Sequence, residues 1–332
     1  MIAPRFWARE RPSLAARALA PLGALYGRAV AKRMARPGAR VDAAVVCVGN
    51  FVLGGAGKTP TAIAVARLLL DAGERVAFLS RGYGGRAGQG PLKVDPARHD
   101  ARAVGDEPLL LARVAPCFVG ADRVASARAA VADGASALVL DDGLQNPSLA
   151  KDFTLAAIDG EAGFGNGLCF PAGPLRAPPA LQWPFVSAAV TIGGAAGVEA
   201  ALRRLAPLKP ILRARLAPDA SVAAALVGRP VLAFAGVARP AKFFATLETL
   251  GARVAARRAF PDHHAYAESE IEALIAEAAA RGFIAVTTEK DHVRLAPAHR
   301  RAVTALPVSL RFEAPERVAA LIVGALAARQ AR

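Results

Sequence analysis

The sequence predicts an α/β fold with a parallel sheet flanked by helices, and three observations predict it. Short apolar runs rich in β-branched residues alternate with helical patterns, and glycine or polar clusters follow the runs. The chain has 332 residues, a length typical of about two domains. Apolar residues make up 54% and charged residues 21%, which supplies a buried core and excludes a disordered or fibrous protein.

The charge of the chain indicates its possible partners, and its cysteines indicate whether disulfides or a zinc site are present. The formal net charge is +15, from 42 Lys and Arg against 27 Asp and Glu, which favours nucleic acid, acidic lipid or a phosphorylated substrate. Aromatic residues are only 6%, which disfavours single-stranded nucleic acid, because bases stack on exposed rings. Cys47, Cys117 and Cys169 form no Cys-x-x-Cys pair, so we expect reduced thiols rather than disulfides or a zinc site.

Residues 1–40 form a basic segment with nine Lys or Arg and one acid. The apolar residues within it recur at helical spacing: Leu14, Ala18, Leu22, Leu25 and Ala29. Arg17, Pro21 and Arg28 interrupt the apolar stretch, which is therefore too short to span a bilayer. We expect an interfacial helix lying on an anionic membrane surface. The alternative is a helix packed on the protein's own core with a solvated basic face.

A glycine-rich turn between a strand pattern and a helix pattern predicts a nucleotide site. It reads GNFVLGGAGKTP at 49–60 and follows the apolar run AVVCV at 44–48. Glycines let successive backbone N–H groups point at one phosphate, and the helix N-terminus adds a positive dipole. The predicted phosphate-binding loop (P-loop) consists of Val52, Leu53, Gly54, Gly55, Ala56, Gly57, Lys58 and Thr59.

Lys58 and Thr59 carry the chemistry of this loop. A lysine at this position reaches the β- and γ-phosphates, and the hydroxyl that follows it binds Mg²⁺. The strict GxxxxGK[ST] pattern has glycine where this chain has Val52. The three remaining glycines and the flanking elements still favour nucleotide binding over a purely structural turn.

Two adjacent acids follow another apolar strand pattern and predict a metal site. Asp141 and Asp142 end the run ALVLDD at 137–142. Neighbouring strand residues face opposite sides, so the two carboxylates are expected to differ in role. Solvated acids at a strand end are the alternative.

Several polar clusters have two interpretations each. Arg81, in a glycine-rich segment after the strand pattern at 76–79, lies where ligands of parallel sheets bind, or in a surface loop. Asp106 and Glu107 precede a helix predicted at 109–113, where acids are more often caps than catalysts. His263 favours an acid–base or orienting role over zinc binding, with a structural role as the alternative.

The cluster TTEKD at 287–291 follows a strand predicted at 283–286, so we expect it to face the nucleotide or the substrate.

The motifs together resemble one family. They are GNFVLGGAGKTP, LSRGYGG, VGDEP, LDDGLQ, DG-x₃-FGNG-x₃-PAGPLR, AGVARP-x-KFF, FPDHH and TTEKD, from about residue 44 to 295. In this order they resemble the tetraacyldisaccharide 4′-kinase (lipid A 4′-kinase) family. The resemblance implies a P-loop kinase fold of two α/β domains, the second smaller, closing over the nucleotide. It implies ATP- and Mg²⁺-dependent phosphorylation of the 4′-hydroxyl of a tetraacylated glucosamine disaccharide 1-phosphate at the cytoplasmic face of a bacterial inner membrane.

The resemblance also implies residue roles. Lys58 and Thr59 match the phosphate and Mg²⁺ ligands, and Asp141 and Asp142 match the acidic pair near the metal. Asp106 matches the general base and His263 its hydrogen-bonding partner. Further substrate or phosphate candidates are Arg81, Arg123, Gln145, Asn166, Arg176, Glu289 and Lys290. Asn146 stands where the family usually has His, and unlike His it does not titrate near neutral pH.

These observations set the expected organisation and partners. We expect the basic segment at 1–40, a nucleotide-binding domain at 41–220 and a smaller α/β domain at 221–332, whose last helix packs on either domain. The expected partners are the lipid A disaccharide precursor and an anionic membrane surface, with no nucleic acid and no obligate protein partner. A P-loop ATPase or GTPase switch is the main alternative, although Leu53 stands where one such group carries Lys.

Overall fold

The computed structural model describes residues 4–9, 11–86, 90–194, 196–205 and 207–330. The helices are α1 (Leu14–Met34), α2 (Lys58–Asp71), α3 (Ala101–Val104), α4 (Asp106–Leu111), α5 (Arg123–Ala132), α6 (Pro179–Gln182), α7 (Ala196–Leu205), α8 (Ala220–Leu226), α9 (Pro240–Thr249), α10 (Glu268–Ala280), α11 (Glu289–His292), α12 (Pro297–Arg300) and α13 (Pro315–Gln330). Short 3₁₀ turns lie at Arg5–Ala8 and Trp183–Phe185.

The strands form two sheets. They are β1 (Ala44–Gly49), β2 (Val76–Ser80), β3 (Leu92–Lys93), β4 (Cys117–Val119), β5 (Ala137–Asp141), β6 (Phe153–Asp159), β7 (Ala188–Ile192), β8 (Ile211–Pro218), β9 (Pro230–Ala235), β10 (Arg253–Ala259), β11 (Ile284–Thr288), β12 (Thr304–Leu306) and β13 (Val308–Phe312).

The large sheet has nine strands in the order β13-β8-β7-β6-β1-β5-β2-β4-β3. Its pairs are parallel except at the two edges, where β3 and β13 run antiparallel to their neighbours. The smaller sheet, β10-β9-β11-β12, is parallel throughout. The predicted α/β fold with a parallel sheet flanked by helices is therefore confirmed.

The end of the chain returns to the large sheet. Strand β13 pairs with β8, and α13 packs on α2, β1, β6 and β13. Val318 and Ile322 on α13 are buried in the same core cluster as Val46 and Val65. The predicted division of the chain at residue 220 stays a prediction, but the last helix lies on the large sheet.

Burial explains why the central strands are continuously apolar. All six residues of β1 and all five of β5 are buried, because helices cover both faces of the sheet. Helix α2 packs on one face and α5 on the other. The carboxyl ends of β1, β2, β4 and β5 therefore share one edge, where their following loops meet.

Helix α1 packs against the large unit through small residues. A Cβ on Gly23 would lie 2.5 Å from the carbonyl oxygen of Cys169, and one on Gly27 would lie 2.7 Å from its sulfur. The apolar stripe of α1 lies on the opposite face and is exposed, with Leu14, Leu22 and Leu25 at 84%, 57% and 63% exposure. None of the helices in the described ranges combines the length and apolar character needed to cross a membrane.

Candidate active site

The predicted P-loop joins β1 to α2 at the shared strand edge. Gly57 precedes α2 with φ 73°, and Gly54 has φ 104°, backbone conformations that favour glycine. Asn50 and Lys58 both donate hydrogen bonds to the Gly54 carbonyl oxygen, at 3.3 and 3.2 Å. The P-loop therefore folds back so that its Gly54 carbonyl oxygen contacts the Lys58 side chain at the start of α2.

Asp141 and Asp142 both reach this loop, by different routes. Asp141 ends β5, and its Oδ2 accepts a hydrogen bond from the Thr59 hydroxyl at 2.9 Å. Asp142 leaves the strand with φ 57°, and its Oδ2 lies 3.8 Å from Lys58 Nζ. The left-handed backbone at Asp142 is what lets two neighbouring carboxylates face the same loop.

The two carboxylates differ in proton affinity. Burial raises the pKa of Asp141 above its usual range, and the nearby charges of Glu107 and Asp142 raise it further. Burial alone would also raise the pKa of Asp142, but the charges of Lys58 and Arg176 lower it below the ordinary value. The predicted difference between the two neighbours therefore has a physical basis in their partners.

Arg176 ties a distant segment to the P-loop. Its Nη2 donates to Asp142 Oδ2 at 2.9 Å and its Nε to the Val52 carbonyl oxygen at 3.0 Å. Its Nη1 donates to Gln145 Oε1 at 3.3 Å, and Gln145 in turn donates to the Asn50 carbonyl oxygen at 2.7 Å. The PAGPLR motif therefore holds the P-loop in place through the hydrogen bonds of its arginine.

Asp106 and His263 come together although 157 positions separate them in the chain. His263 Nδ1 lies 3.2 Å from Asp106 Oδ2, and Asp106 is 4% exposed. Burial alone would raise the pKa of Asp106, but the hydrogen bond from His263 and the charges of Lys290 and Arg294 hold it well below its usual range. Asp106 is therefore a carboxylate held ionised at the junction of the two sheets.

The helix at Asp106 differs from the sequence prediction. Helix α4 begins at Asp106 rather than at residue 109, so both acids lie in its first turn and not before it. Gly105, at φ 89°, allows the sharp turn into the helix, where a Cβ would lie 2.7 Å from the Tyr83 carbonyl oxygen. Asp106 Oδ1 accepts the Glu107 N–H at 2.8 Å, which orients that oxygen.

Comparisons with known proteins bear on this site. The family described as tetraacyldisaccharide-1-P 4'-kinase matches residues 15–327. The tetraacyldisaccharide 4'-kinase of Methylobacterium sp. (strain 4-46) is 61% identical over 97% of this chain and 96% of its own. That of Methylobacterium nodulans is 56% identical over 99% and 96%.

This chain belongs to the tetraacyldisaccharide 4′-kinase family.

The crystal structure of LpxK from Aquifex aeolicus in complex with ATP superposes with a TM-score of 0.75 at 25% identity, covering 94% of this chain and 99% of that one. Family membership makes this chain a phosphotransferase with an alcohol acceptor, and a kinase family implies ATP with Mg²⁺. The resemblance seen in the sequence is confirmed at this level. The residue roles that it implies stay predictions.

The site of this 4′-kinase family member fits Mg²⁺. Asp141 Oδ1 and Asp142 Oδ1 are buried without a hydrogen-bond partner in the described part of the chain. Together with the Thr59 hydroxyl they offer only oxygen donors, which Mg²⁺ prefers. Burying a carboxylate oxygen without a hydrogen-bond partner costs free energy, and a bound cation would supply the missing partner.

The structure places the other arginine candidates near the acidic pair. Arg123 is 4% exposed at the start of α5, and burial together with the charge of Arg81 lowers its pKa to about 10. The charge of Asp141 opposes that shift, so the two arginines and the carboxylate share one electrostatic neighbourhood. Arg81 is exposed and also lowers the pKa of Asp142.

Of the predicted pair Glu289 and Lys290, Lys290 lies close to Asp106. Its Nζ donates to Glu107 Oε1 at 2.6 Å, next to Asp106, and the charges of Glu107 and Asp106 outweigh burial and raise the pKa of Lys290. Glu289 instead accepts the Val308 N–H at 3.3 Å. It therefore helps to dock β13 rather than facing Asp106.

Two asparagines are used locally. Asn166 donates to the carbonyl oxygens of Phe6 and Ala172, at 3.3 and 2.9 Å, and so ties down the N-terminal segment. Asn146, the departure from the family pattern, accepts the Ser148 N–H at 2.9 Å and shapes a turn. Neither side chain is brought to the P-loop or to Asp106.

Sequence reasoning missed Arg294. Its Nε donates to Asp106 Oδ2 at 3.0 Å, and its Nη1 donates to Asp291 Oδ1 at 2.7 Å. The sequence did contain one signal for Arg294. It lies three residues after Asp291, the last residue of the TTEKD cluster, and residues three apart on a helix are neighbours. Spacing alone does not show that this arginine faces a residue 188 positions away.

Proposed function

We propose that this chain transfers the γ-phosphate of ATP to the 4′-hydroxyl of a tetraacylated glucosamine disaccharide 1-phosphate, at the cytoplasmic face of a bacterial inner membrane. The observation that carries the proposal is that two pairs of polar side chains form on neighbouring helices, one at the start of α2 and one at the start of α4. Thr59 with Asp141 lies at the P-loop, and Asp106 with His263 lies beside it. The charge of Glu107, next to Asp106, raises the pKa of Asp141, so the two pairs share one electrostatic neighbourhood.

Phosphoryl transfer needs positioning and charge neutralisation more than covalent chemistry. In our proposal, Lys58 and the backbone N–H groups of 54–57 bind the β- and γ-phosphates at the N-terminus of α2. Thr59, Asp141 and Asp142 are the residues that would hold Mg²⁺. When bound, the ion supplies positive charge beside the phosphate oxygens.

On the acceptor side, Asp106 is proposed to accept the proton of the sugar hydroxyl. Its depressed pKa keeps it ionised across the physiological range, so it is available as a base. His263 Nδ1, 3.2 Å from Asp106 Oδ2, orients the carboxylate. The exposed ring of Tyr83 contacts His263 edge-on, with centroids 5.5 Å apart, and limits its rotation.

For the lipid substrate we propose that α1 lies on the membrane surface. The stripe of Leu14, Leu22 and Leu25 is exposed, while the opposite face packs on the protein through Gly23 and Gly27. The basic residues of the segment are solvent-exposed at Arg17, Arg28, Lys32, Arg33, Arg36 and Arg40. Exposed apolar area beside positive charge is the combination that binds anionic leaflets.

The catalytic proposal is tested by transfer of labelled γ-phosphate from ATP to purified tetraacyl disaccharide 1-phosphate. We expect Lys58→Met to lower turnover by about 100- to 1,000-fold. We expect Asp106→Asn to lower it by about 100- to 10,000-fold. Lys93→Met, at an exposed pair with Asp133 away from the site, is the matched control.

Full turnover in Lys58→Met or Asp106→Asn would refute the assigned roles. ATP hydrolysis at the same rate without any acceptor would instead favour a nucleotide-dependent switch acting through a protein partner. Circular dichroism of each variant verifies that the fold is retained.

The membrane proposal is tested by sedimentation with vesicles containing anionic lipid. The double variant Leu22→Ser/Leu25→Ser should shift the protein to the supernatant and raise the KM for the lipid more than that for ATP. Leu208→Ser makes the same change at a residue that is 97% exposed elsewhere on the surface. Equal partitioning of the double variant and the control would contradict an interfacial role for α1.

A further inference from the structure

Arg294 lies at the centre of a buried chain of charges that ends on Asp106. Its side chain is 7% exposed, between Asp106 at 3% and Asp291 at 0%. Nε and Nη2 both donate to Asp106 Oδ2, the former at 3.0 Å. Nη1 donates to Asp291 Oδ1 at 2.7 Å and to the Gly236 carbonyl oxygen at 2.8 Å. The guanidinium is therefore held on both sides.

Asp291 is itself fixed by several donors. Its Oδ1 accepts from the Tyr266 hydroxyl at 2.9 Å and from the Gly236 N–H at 3.0 Å. Its Oδ2 accepts from the Thr288 hydroxyl at 2.6 Å. A carboxylate held from three directions does not rotate freely, so it defines the position of the Arg294 guanidinium.

The backbone around Arg294 is anchored in two cores. Val293, 2% exposed, belongs to the apolar cluster of the large sheet, and Leu295, 3% exposed, belongs to that of the smaller sheet. Lys290, one turn earlier, pairs with Glu107 on α4. Arg294 is therefore presented to Asp106 from a segment that is packed against both units.

These contacts leave one Asp106 oxygen less occupied than the other. Oδ2 faces two Arg294 nitrogens and His263 Nδ1, whereas among the described residues Oδ1 accepts a single bond, from the Glu107 N–H. A carboxylate oxygen has about two lone-pair sites, so Oδ1 keeps one for a further donor. A sugar hydroxyl is such a donor.

We propose that Arg294 is a positioning residue for phosphoryl transfer, which holds the Asp106 carboxylate so that Oδ1 faces the acceptor hydroxyl. The proposal rests on the proposed role of Asp106 as the proton acceptor. The hydroxyl proton passes to Oδ1 as the acceptor oxygen bonds to the γ-phosphorus and the bond from that phosphorus to ADP breaks. Asp291 holds Arg294 and has no direct contact with the acceptor.

The charges around Asp106 predict how its titration changes without Arg294. His263, Lys290, Glu107 and Asp291 remain in place, so burial is opposed by fewer positive charges and the pKa of Asp106 rises. A base works only when ionised, so activity is lost as the pH falls through this pKa. The acid limb of kcat/KM should therefore move to higher pH.

The experiment compares Arg294→Met and Arg294→Lys in the labelled-phosphate assay with purified lipid acceptor. We expect kcat of Arg294→Met to fall by about 100-fold while the KM for ATP stays within about threefold, because a misplaced base slows the chemical step. Arg294→Lys should recover part of this loss, with kcat about tenfold below the parent. Lysine keeps the positive charge but lacks the planar set of N–H donors of the guanidinium. Arg113→Met, at an exposed ion pair across the same junction, is the matched control.

The outcomes separate this inference from the role of Asp106. If Asp106→Asn is inactive but both Arg294 variants keep the parent kcat and acid limb, Arg294 is not a positioning residue. If Asp106→Asn is fully active, the role of Asp106 itself fails. Should Arg294→Met fail to fold, Arg294→Lys decides alone, and a parent-like kcat and pH profile in it would overturn the proposal.

Discussion

Arg176 donates a hydrogen bond to Asp142 at 2.9 Å, and through this bond a proline-rich segment supports the nucleotide loop. The same guanidinium binds the Val52 carbonyl oxygen, and the Arg176 N–H binds the Phe51 carbonyl oxygen at 2.9 Å. One side chain therefore sets both the path of the P-loop and the orientation of an acidic side chain. Three motifs that are separate in the sequence act as one structural unit.

Replacing Arg176 by Lys should separate these motifs. Lysine keeps the charge but does not bind a carboxylate and a carbonyl oxygen with a planar fork. We expect the KM for ATP to rise by about tenfold, a change equivalent to about 1.4 kcal/mol of binding free energy. Steady-state kinetics at varied ATP measures it, with the exposed Arg215→Lys as control. A parent-like KM in Arg176→Lys would contradict the bracing role.

Asp141→Asn should stabilise the metal-free protein while lowering activity. Burial raises the folded-state pKa of Asp141, so wild-type stability is lost as the pH rises from the unfolded value, about 4, through the raised folded value. Asparagine has no proton to lose. At a pH of about 8 without Mg²⁺ we expect the free energy of unfolding to rise by about 1 to 3 kcal/mol, and less at a pH of about 5.

Urea unfolding at the two pH values measures this effect. Asp142→Asn is the informative control, because the pKa of Asp142 is lowered by Lys58 and Arg176 and its loss should destabilise the protein. The same sign of change in both variants would show that the neighbouring carboxylates do not differ in the way their surroundings indicate.

Gly23→Ala should loosen α1 from the large unit. The new Cβ would lie 2.5 Å from the Cys169 carbonyl oxygen, a backbone atom that does not move away without cost. We expect overpacking to cost up to about 3 kcal/mol against a gain of about 1 kcal/mol in helix propensity, so the net effect is a loss of up to about 2 kcal/mol of unfolding free energy. Thermal unfolding measures it. Gly324→Ala on α13, where no atom lies within 4 Å of the new Cβ, should be neutral or stabilising, and equal effects would refute the close packing.

Gln182→Leu should destabilise the support beneath the P-loop. Gln182 is fully buried, donates to the Ala177 carbonyl oxygen at 2.5 Å and accepts from Gln145 Nε2 at 2.8 Å. Leucine leaves these groups unpaired, at a cost of about 1 to 3 kcal/mol each. Urea unfolding measures it, with the neighbouring Leu181→Ala expected within about 0.5 kcal/mol of the parent. A parent-like midpoint in Gln182→Leu would show that water replaces these bonds.

The sequence was most informative where chemistry depends on neighbouring residues. Lys58 and Thr59 follow glycines and begin a helix, so their position at a strand's carboxyl end followed from local pattern, as did the helical spacing of the apolar stripe on α1. The start of α4 at Asp106 was missed because Gly105, not a polar cap, precedes it. Asn166 and Glu289 hydrogen-bond to backbone groups in this structure, and their role toward the substrate stays a prediction.

The sequence by itself determined the α/β fold, the nucleotide loop and the family, because strand period, glycine spacing and the order of motifs are local properties of the chain. Only the tertiary structure decided that β13 and α13 return to the large sheet, that Arg176 braces the loop, and that Arg294 holds Asp106. Such contacts join distant parts of the chain, and Arg294 and Asp106, for example, lie 188 positions apart. Their geometry follows from how buried faces pack, which no short window of sequence contains.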